Sequence, residues 1–133
     1  MKNIYFCGKD VGFNALSWLI KNKFIPEKVI VSSKKDKEII NLCKKKKLNF
    51  IIYDQKKLLK YFKKYKEYHF DWLLSLWNPN ILPKVILRRF KKTLNFHPSF
   101  VPYCRGSDTA AWILTSNTIA GVSLLEMNEK VDE

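Results

Sequence analysis

Phe70-Asp71-Trp72-Leu73-Leu74-Ser75-Leu76-Trp77 is the most apolar run in the chain, and its large side chains follow one another instead of alternating with polar ones. A strand that is apolar on both faces belongs in the middle of a parallel sheet covered by helices. Working towards the N-terminus, residues 49–53, 28–32 and 2–7 read as further strands of the same kind, with Val29-Ile30-Val31 and Ile4-Tyr5-Phe6 at their centres. Helical spacing fills the gaps. Asp10 caps a helix whose Phe13, Leu16, Leu19 and Ile20 share one face, a lysine-rich helix spans residues 35–46, and Asp54 caps a third that ends near Lys66. Towards the C-terminus, Pro79 and Pro83 break the chain, a short helix covers 84–90, and a strand covers 93–97. A last helix over 108–114 and a strand over 120–127 complete the series. Strands alternating with helices predict an α/β domain built on a mostly parallel sheet with helices on both faces, and such sheets bind ligands outside the carboxyl ends of their strands.

At 133 residues, with 47% hydrophobic and 28% charged, the chain reads as one globular domain able to bury roughly two-thirds of its unfolded surface. No run approaches the roughly 18 apolar residues of a membrane span, and the first apolar stretch is too short for a signal peptide. Cys7, Cys43 and Cys104 are odd in number and contain no C-x-x-C, which argues against a disulfide framework and against a metal site. A reducing, cytoplasmic setting is expected. The net charge of +13 would suit a polyanion, but residues 1–95 hold 23 Lys and Arg against 7 Asp and Glu, and residues 96–133 hold 2 against 5. Only Arg88, Arg89 and Arg105 are arginines. Arginine is the residue that reads bases bidentately, so nucleic acid is disfavoured as a partner and runs such as residues 44–47 read as solvated helix ends.

The first turn, Gly8-Lys9-Asp10-Val11-Gly12, lacks G-x-G-x-x-G, so a dinucleotide is not expected. Glycine at a helix N-terminus, with Lys9 beside it, suits an anion or phosphate and equally suits a tight turn. The segment Leu94-Asn95-Phe96-His97-Pro98-Ser99 says more. Alternation along a strand puts Asn95 and His97 on one face, and Pro98 ends the strand just beyond them, at a carboxyl edge.

Asn95-Phe96-His97-Pro98-Ser99, then Pro102, Arg105-Gly106, Gly121-Val122-Ser123 and Val131-Asp132, resemble in content and order the formyltransferases that use N10-formyltetrahydrofolate. That family includes enzymes acting on methionyl-tRNA, on glycinamide ribonucleotide and on nucleotide-linked amino sugars. The resemblance is close over residues 94–132, fair over 71–89 and faint before that, and it implies a Rossmann-like fold. It implies catalytic roles for Asn95, His97 and Asp132, a folate pocket at Trp77, Ile81, Leu82 and Pro83, and substrate contacts at Gly8, Lys9, Pro98, Ser99 and Arg105. Formyl transfer to an amine passes through a tetrahedral oxyanion that an Asn95 N–H can stabilise. His97 can move the proton, and a nearby Asp132 would orient the imidazole.

The first turn is more similar to that of the sugar enzymes than to the others, so the expected acceptor is the amine of a nucleotide-linked sugar, with no metal and with a homodimer as one assembly. A tRNA-directed enzyme and a non-catalytic basic fragment are the alternatives. Within the family the chain reads as the N-terminal portion of the catalytic domain, residues 1–133, truncated just after Asp132. On that reading the portion alone is expected to be nearly inactive.

Overall fold

Four of the five residues of β1 (Asn3–Cys7) are fully buried, which is what the central strand of a two-faced sheet requires. The computed structural model describes residues 1–99, 109–116 and 119–128. Around β1 lie β2 (Lys28–Val31), β3 (Phe50–Ile52), β4 (Phe70–Leu76), β5 (Phe90–His97) and β6 (Ser123–Glu126), in the sheet order β3-β2-β1-β4-β5-β6. All neighbours pair parallel except β6, which runs antiparallel to β5. The chain builds outward from β1 through β2 to β3, then returns to the other flank of β1 with β4. The crevice between the carboxyl ends of β1 and β4 is therefore the topological switch point, where ligands of such folds bind.

The two faces of the sheet carry separate cores. On one, α1 (Lys9–Lys21) and α2 (Lys37–Lys45) lay Leu16, Ile39 and Cys43 on Tyr5, Cys7, Val29, Val31 and Leu76. On the other, α3 (Gln55–Lys63) and α4 (Lys84–Leu87) lay Leu58, Phe62 and Ile86 on Ile4, Phe6, Ile30, Phe70, Leu73 and Phe90. Phe62 meets Phe70 edge-on with ring centroids 5.8 Å apart, and Phe70 stacks on Phe90 at 5.3 Å. Cys7 and Cys43 are free and buried, and burial pushes the Cys43 thiol up to about 11 and the Cys7 thiol well above its ordinary value. Both act as small apolar side chains. Among the described residues no helix is long and apolar enough to cross a membrane. α5 (Thr109–Ser116) precedes β6 in the chain.

Several boundaries differ from those the sequence suggests. The expected cap at Asp54 is present, its carboxylate accepting from the Lys57 N–H at 3.1 Å. Asp10, however, lies inside the first turn of α1, because the chain enters the helix directly from an extended Gly8. α4 stops at Leu87, since Phe90 is drawn into β5 and buried against Phe62 and Phe70.

α1 and α2 both end with a lysine in the left-handed region, Lys23 at φ 67° and Lys47 at φ 55°. At each end two backbone bonds close the turn, Lys23 N–H to Ile20 and Phe24 N–H to Leu19, then Lys47 N–H to Lys44 and Leu48 N–H to Cys43. This is the bonding that glycine usually completes. Because a left-handed L-residue costs about 1–2 kcal/mol, partly offset by the greater chain entropy of glycine, Lys47→Gly is expected to stabilise the fold by up to about 1 kcal/mol. A higher denaturation midpoint at unchanged slope checks this.

Candidate active site

β5 sets the site. Its pairings place Ser75 and Leu125 beside Asn95, and Ser123 beside His97. Leu73, Thr93's partner across β4, and Met127 belong to the core that α3 and α4 cover, so Thr93, Asn95 and His97 all project from that face. Leu94 and Phe96 pair with Leu74, Leu76 and Leu124 on the opposite face. The two-residue spacing thus brings Asn95 and His97 together on one face, and β5 ends at His97, before Pro98. Asn95 is half-buried and His97 is 4% exposed.

The antiparallel β6 holds this segment at both ends. Thr93 donates its hydroxyl to the Met127 carbonyl at 3.1 Å and accepts the Met127 N–H at 2.8 Å. Beyond the end of β5, the Ser123 hydroxyl donates to the Ser99 carbonyl at 2.7 Å. Ser99 is fully buried, and its own hydroxyl oxygen has no hydrogen-bond partner among the described residues. A buried hydroxyl in that state is a group that a bound polar ligand can satisfy.

Residues 77–83 leave the carboxyl end of β4 next to this face. Trp77 has a left-handed backbone, φ 62°, and the turn behind it is fixed by Asn78 donating to the Asn80 carbonyl at 3.0 Å and Asn80 donating to the Ser32 carbonyl at 3.4 Å. Ile81 is 74% exposed, whereas Leu82 is packed into the core. Pro83 caps α4. Of the four residues expected in a folate pocket, Ile81 offers surface, Trp77 and Pro83 are half-buried, and Leu82 supports the loop from below.

Gly8 lies between β2 and β4. A Cβ there would meet Ser32 Oγ at 2.5 Å and the Trp77 carbonyl at 2.6 Å, so close approach, not backbone conformation, demands glycine. Gly12 is held in the same way, its missing Cβ facing the Leu76 carbonyl at 2.7 Å. Lys9 is exposed with φ 54°, and its N–H donates to Asp36 Oδ1 at 3.1 Å, while Ser32 Oγ donates to Asp36 Oδ2 at 2.5 Å. Of the left-handed non-glycine residues among those described, Lys23, Lys47 and Tyr68 lie elsewhere, and Lys9 and Trp77 flank the switch point. Strain of this kind gathers where a fold over-determines its backbone, and functional sites are the usual place.

The carboxyl edge thus brings Gly8, Lys9, Trp77, Ile81, Asn95, His97, Pro98 and Ser99 onto neighbouring strand ends. Asp132 and Arg105 lie outside the described residues. Sequence reasoning missed Asp36 and Ser32. The signal was an acidic residue following the second strand, the place from which α/β folds often send a carboxylate to the end of β1.

The fold has solved relatives. A glycinamide ribonucleotide transformylase from Symbiobacterium toebii superposes with a TM-score of 0.79 at 18% identity, covering 100% of this chain and 69% of that one. A phosphoribosylglycinamide formyltransferase from Campylobacter jejuni gives 0.74 at 23% identity, over 99% of this chain and 75% of that one. A sugar N-formyltransferase from a Shewanella species gives 0.68 at 16%, and the chain spans 54% of its length. The family described as formyl transferase matches residues 22–133, which takes in β2 to β6 and the whole Asn95-to-Ser99 segment. By that match the chain belongs to the formyl transferase family.

Proposed function

We propose that the carboxyl edge serves transfer of a formyl group from N10-formyltetrahydrofolate to the amine of a nucleotide-linked amino sugar. The observation that carries the reading is the placement of Asn95 and His97 on one face at the end of β5, beside the switch point. When bound, the folate supplies the formyl carbon. The fixed loop at residues 77–83, with Ile81 exposed above a buried Leu82, fits a flat ring laid against it. Asn95 would direct an amide N–H at the formyl oxygen as negative charge gathers there, and a donor fixed in advance by the sheet spends no reorganisation at that moment. His97 would take the proton that the attacking ammonium must lose, or return one to the departing nitrogen. Asp132, the third residue of the family pattern, is proposed to orient that imidazole.

The sugar acceptor is supported by the packed first turn, in which Gly8 and Gly12 are accounted for by their neighbours instead of opening a loop for a ligand. A second acceptor, phosphoribosylglycinamide, has in its favour the higher TM-scores of the enzymes named for it. Titration with a non-transferring analogue of the formyl folate tests the reading. Saturable shifts are expected at the amides of Asn95, His97 and Ile81, with α2 unmoved; shifts confined to the surface lysines would refute it.

A further inference from the structure

We infer that the surface formed by Trp18, Phe24 and Ile25 docks the protein on an anionic lipid bilayer, with the carboxyl edge turned away from it. Parallel strands alternating with helices send the carboxyl ends of α1 and α2 to the edge where β1, β2 and β3 begin, opposite the candidate active site. At that edge Trp18 is 60% exposed, Phe24 53% and Ile25 51%. Large apolar side chains left singly in water are ordinary, but these fall together. The Trp18 and Phe24 rings stack with centroids 6.5 Å apart, and Ile25 follows Phe24 in the chain. The fold presents them firmly. Phe24 N–H donates to the Leu19 carbonyl at 2.8 Å, and the Tyr5 hydroxyl donates to the Phe24 carbonyl at 3.1 Å. Pro26 is buried, and Glu27 N–H donates to the Asn3 carbonyl at 2.8 Å. The turn is thus tied to β1 while Phe24 and Ile25 stay in solvent.

The charge around the patch selects the partner. Lys21 stands one turn after Trp18 on the same side of α1, and Lys23 leads into Phe24; both are exposed. Val29 N–H donates to the Asn49 carbonyl, which brings the exposed turn of Lys44 to Lys47 to the same edge. Within residues 21–28 and 43–50, Glu27 is the one acid set against these lysines. The helix dipole accounts for lysines at a helix carboxyl end, but not for tryptophan, phenylalanine and isoleucine exposed among them. That mixture is what the interface of an anionic bilayer takes up. The apolar groups enter the boundary between headgroups and acyl chains, and each ammonium stays level with the lipid phosphates. Nucleic acid is less suited, because Ile25 has no face on which a base stacks and neither segment holds an arginine. A second copy of the chain is opposed by its own like charge.

The test is sedimentation of the chain with vesicles of phosphatidylcholine alone and of phosphatidylcholine mixed with phosphatidylserine, at low and at physiological salt. The parent is expected to bind the anionic vesicles saturably, more weakly as salt rises, and to leave the neutral ones in solution. Trp18→Ala and Phe24→Ala should each lower the affinity at least about fivefold, and Lys21→Gln with Lys23→Gln at least about tenfold. Lys56→Gln with Lys57→Gln removes the same charge from the first turn of α3, at the carboxyl edge, and should change it less than about threefold. Brominated acyl chains should quench part of the parent's fluorescence, and Trp18→Phe should bind yet lose that part; it also serves if the alanine variants do not fold. Failure to bind anionic vesicles, aromatic variants that bind like the parent, or equal losses from the two lysine pairs overturns the assignment. So does a dimer, or a complex with single-stranded RNA, that forms through Trp18 when no vesicle is bound. None of these measurements depends on the formyl-transfer reading.

Discussion

Replacing His97 by alanine is expected to lower formyl transfer by about 10²- to 10⁴-fold, the usual range for loss of a positioned proton-transfer group. Asn95→Ala should cost about 10²- to 10³-fold, the range for removing one donor to a developing oxyanion. The two losses should not multiply in the double variant, because both groups act on the same transition state. As the chain spans 54% of the Shewanella enzyme, the assay is run both on the chain and on the chain joined to the C-terminal part of such an enzyme. Activity is read as release of tetrahydrofolate with a nucleotide-linked amino sugar as acceptor. His97 is 4% exposed, so the melting temperature of each variant must be followed in parallel. A His97→Ala chain that melts like its parent and keeps most of its turnover would rule out the catalytic role.

The second large effect concerns the core beneath the site. Phe62 on α3 is fully buried and packs at once against Phe70 on β4 and Phe90 on β5, with ring centroids 5.8 and 5.7 Å apart. Phe62→Ala removes the side chain that ties the helix to both strands, and the rings around it are too constrained by the sheet to close the gap. A loss of about 3–5 kcal/mol is expected, from lost transfer energy and from the cavity left behind. Such a loss is a large share of the stability of an ordinary domain. Phe62→Leu should recover a good part of it by keeping most of the buried volume. Urea denaturation of the three chains, with the slope compared as well as the midpoint, decides the matter; an alanine variant within about 1 kcal/mol of the parent would mean that the face is not closely packed.

What the sequence disclosed and what it withheld divide along one line. Signals that act within a few residues were legible: the predominantly apolar run of β4, the cap at Asp54, the pairing of Asn95 with His97 by simple alternation, and the strand end before Pro98. Signals that act across the fold were not. Nothing near Lys9 announces that its amide is met by a carboxylate arriving from the end of β2. Nothing in Ser123-Leu124-Leu125-Glu126 states whether the strand runs with β5 or against it, since a run of four residues with two leucines at its centre serves either direction. The same holds for Leu82, which looks like a partner for a ligand in a proline-bounded loop and is instead part of the core. Lys23 and Lys47 mislead in another way, because helices of this kind usually announce their ends with glycine.

The lysines also bear on how copies of the chain meet one another. Among the described residues β3 is an edge of the sheet, with no other described strand on one side of its backbone, and Ile52 is 39% exposed there. An open apolar edge is a template on which a second chain can add. This one is only three residues long. It lies between the exposed lysines at the end of α2, Lys44 to Lys47, and those of the first turns of α3, Lys56, Lys57 and Lys60. Repulsion between two equally charged copies reaches about 10 Å at 0.1 M salt. Lysine charge flanking an edge strand in the chain opposes the approach of a second, equally charged copy, an effect that weakens as salt is added and is strongest in dilute buffer.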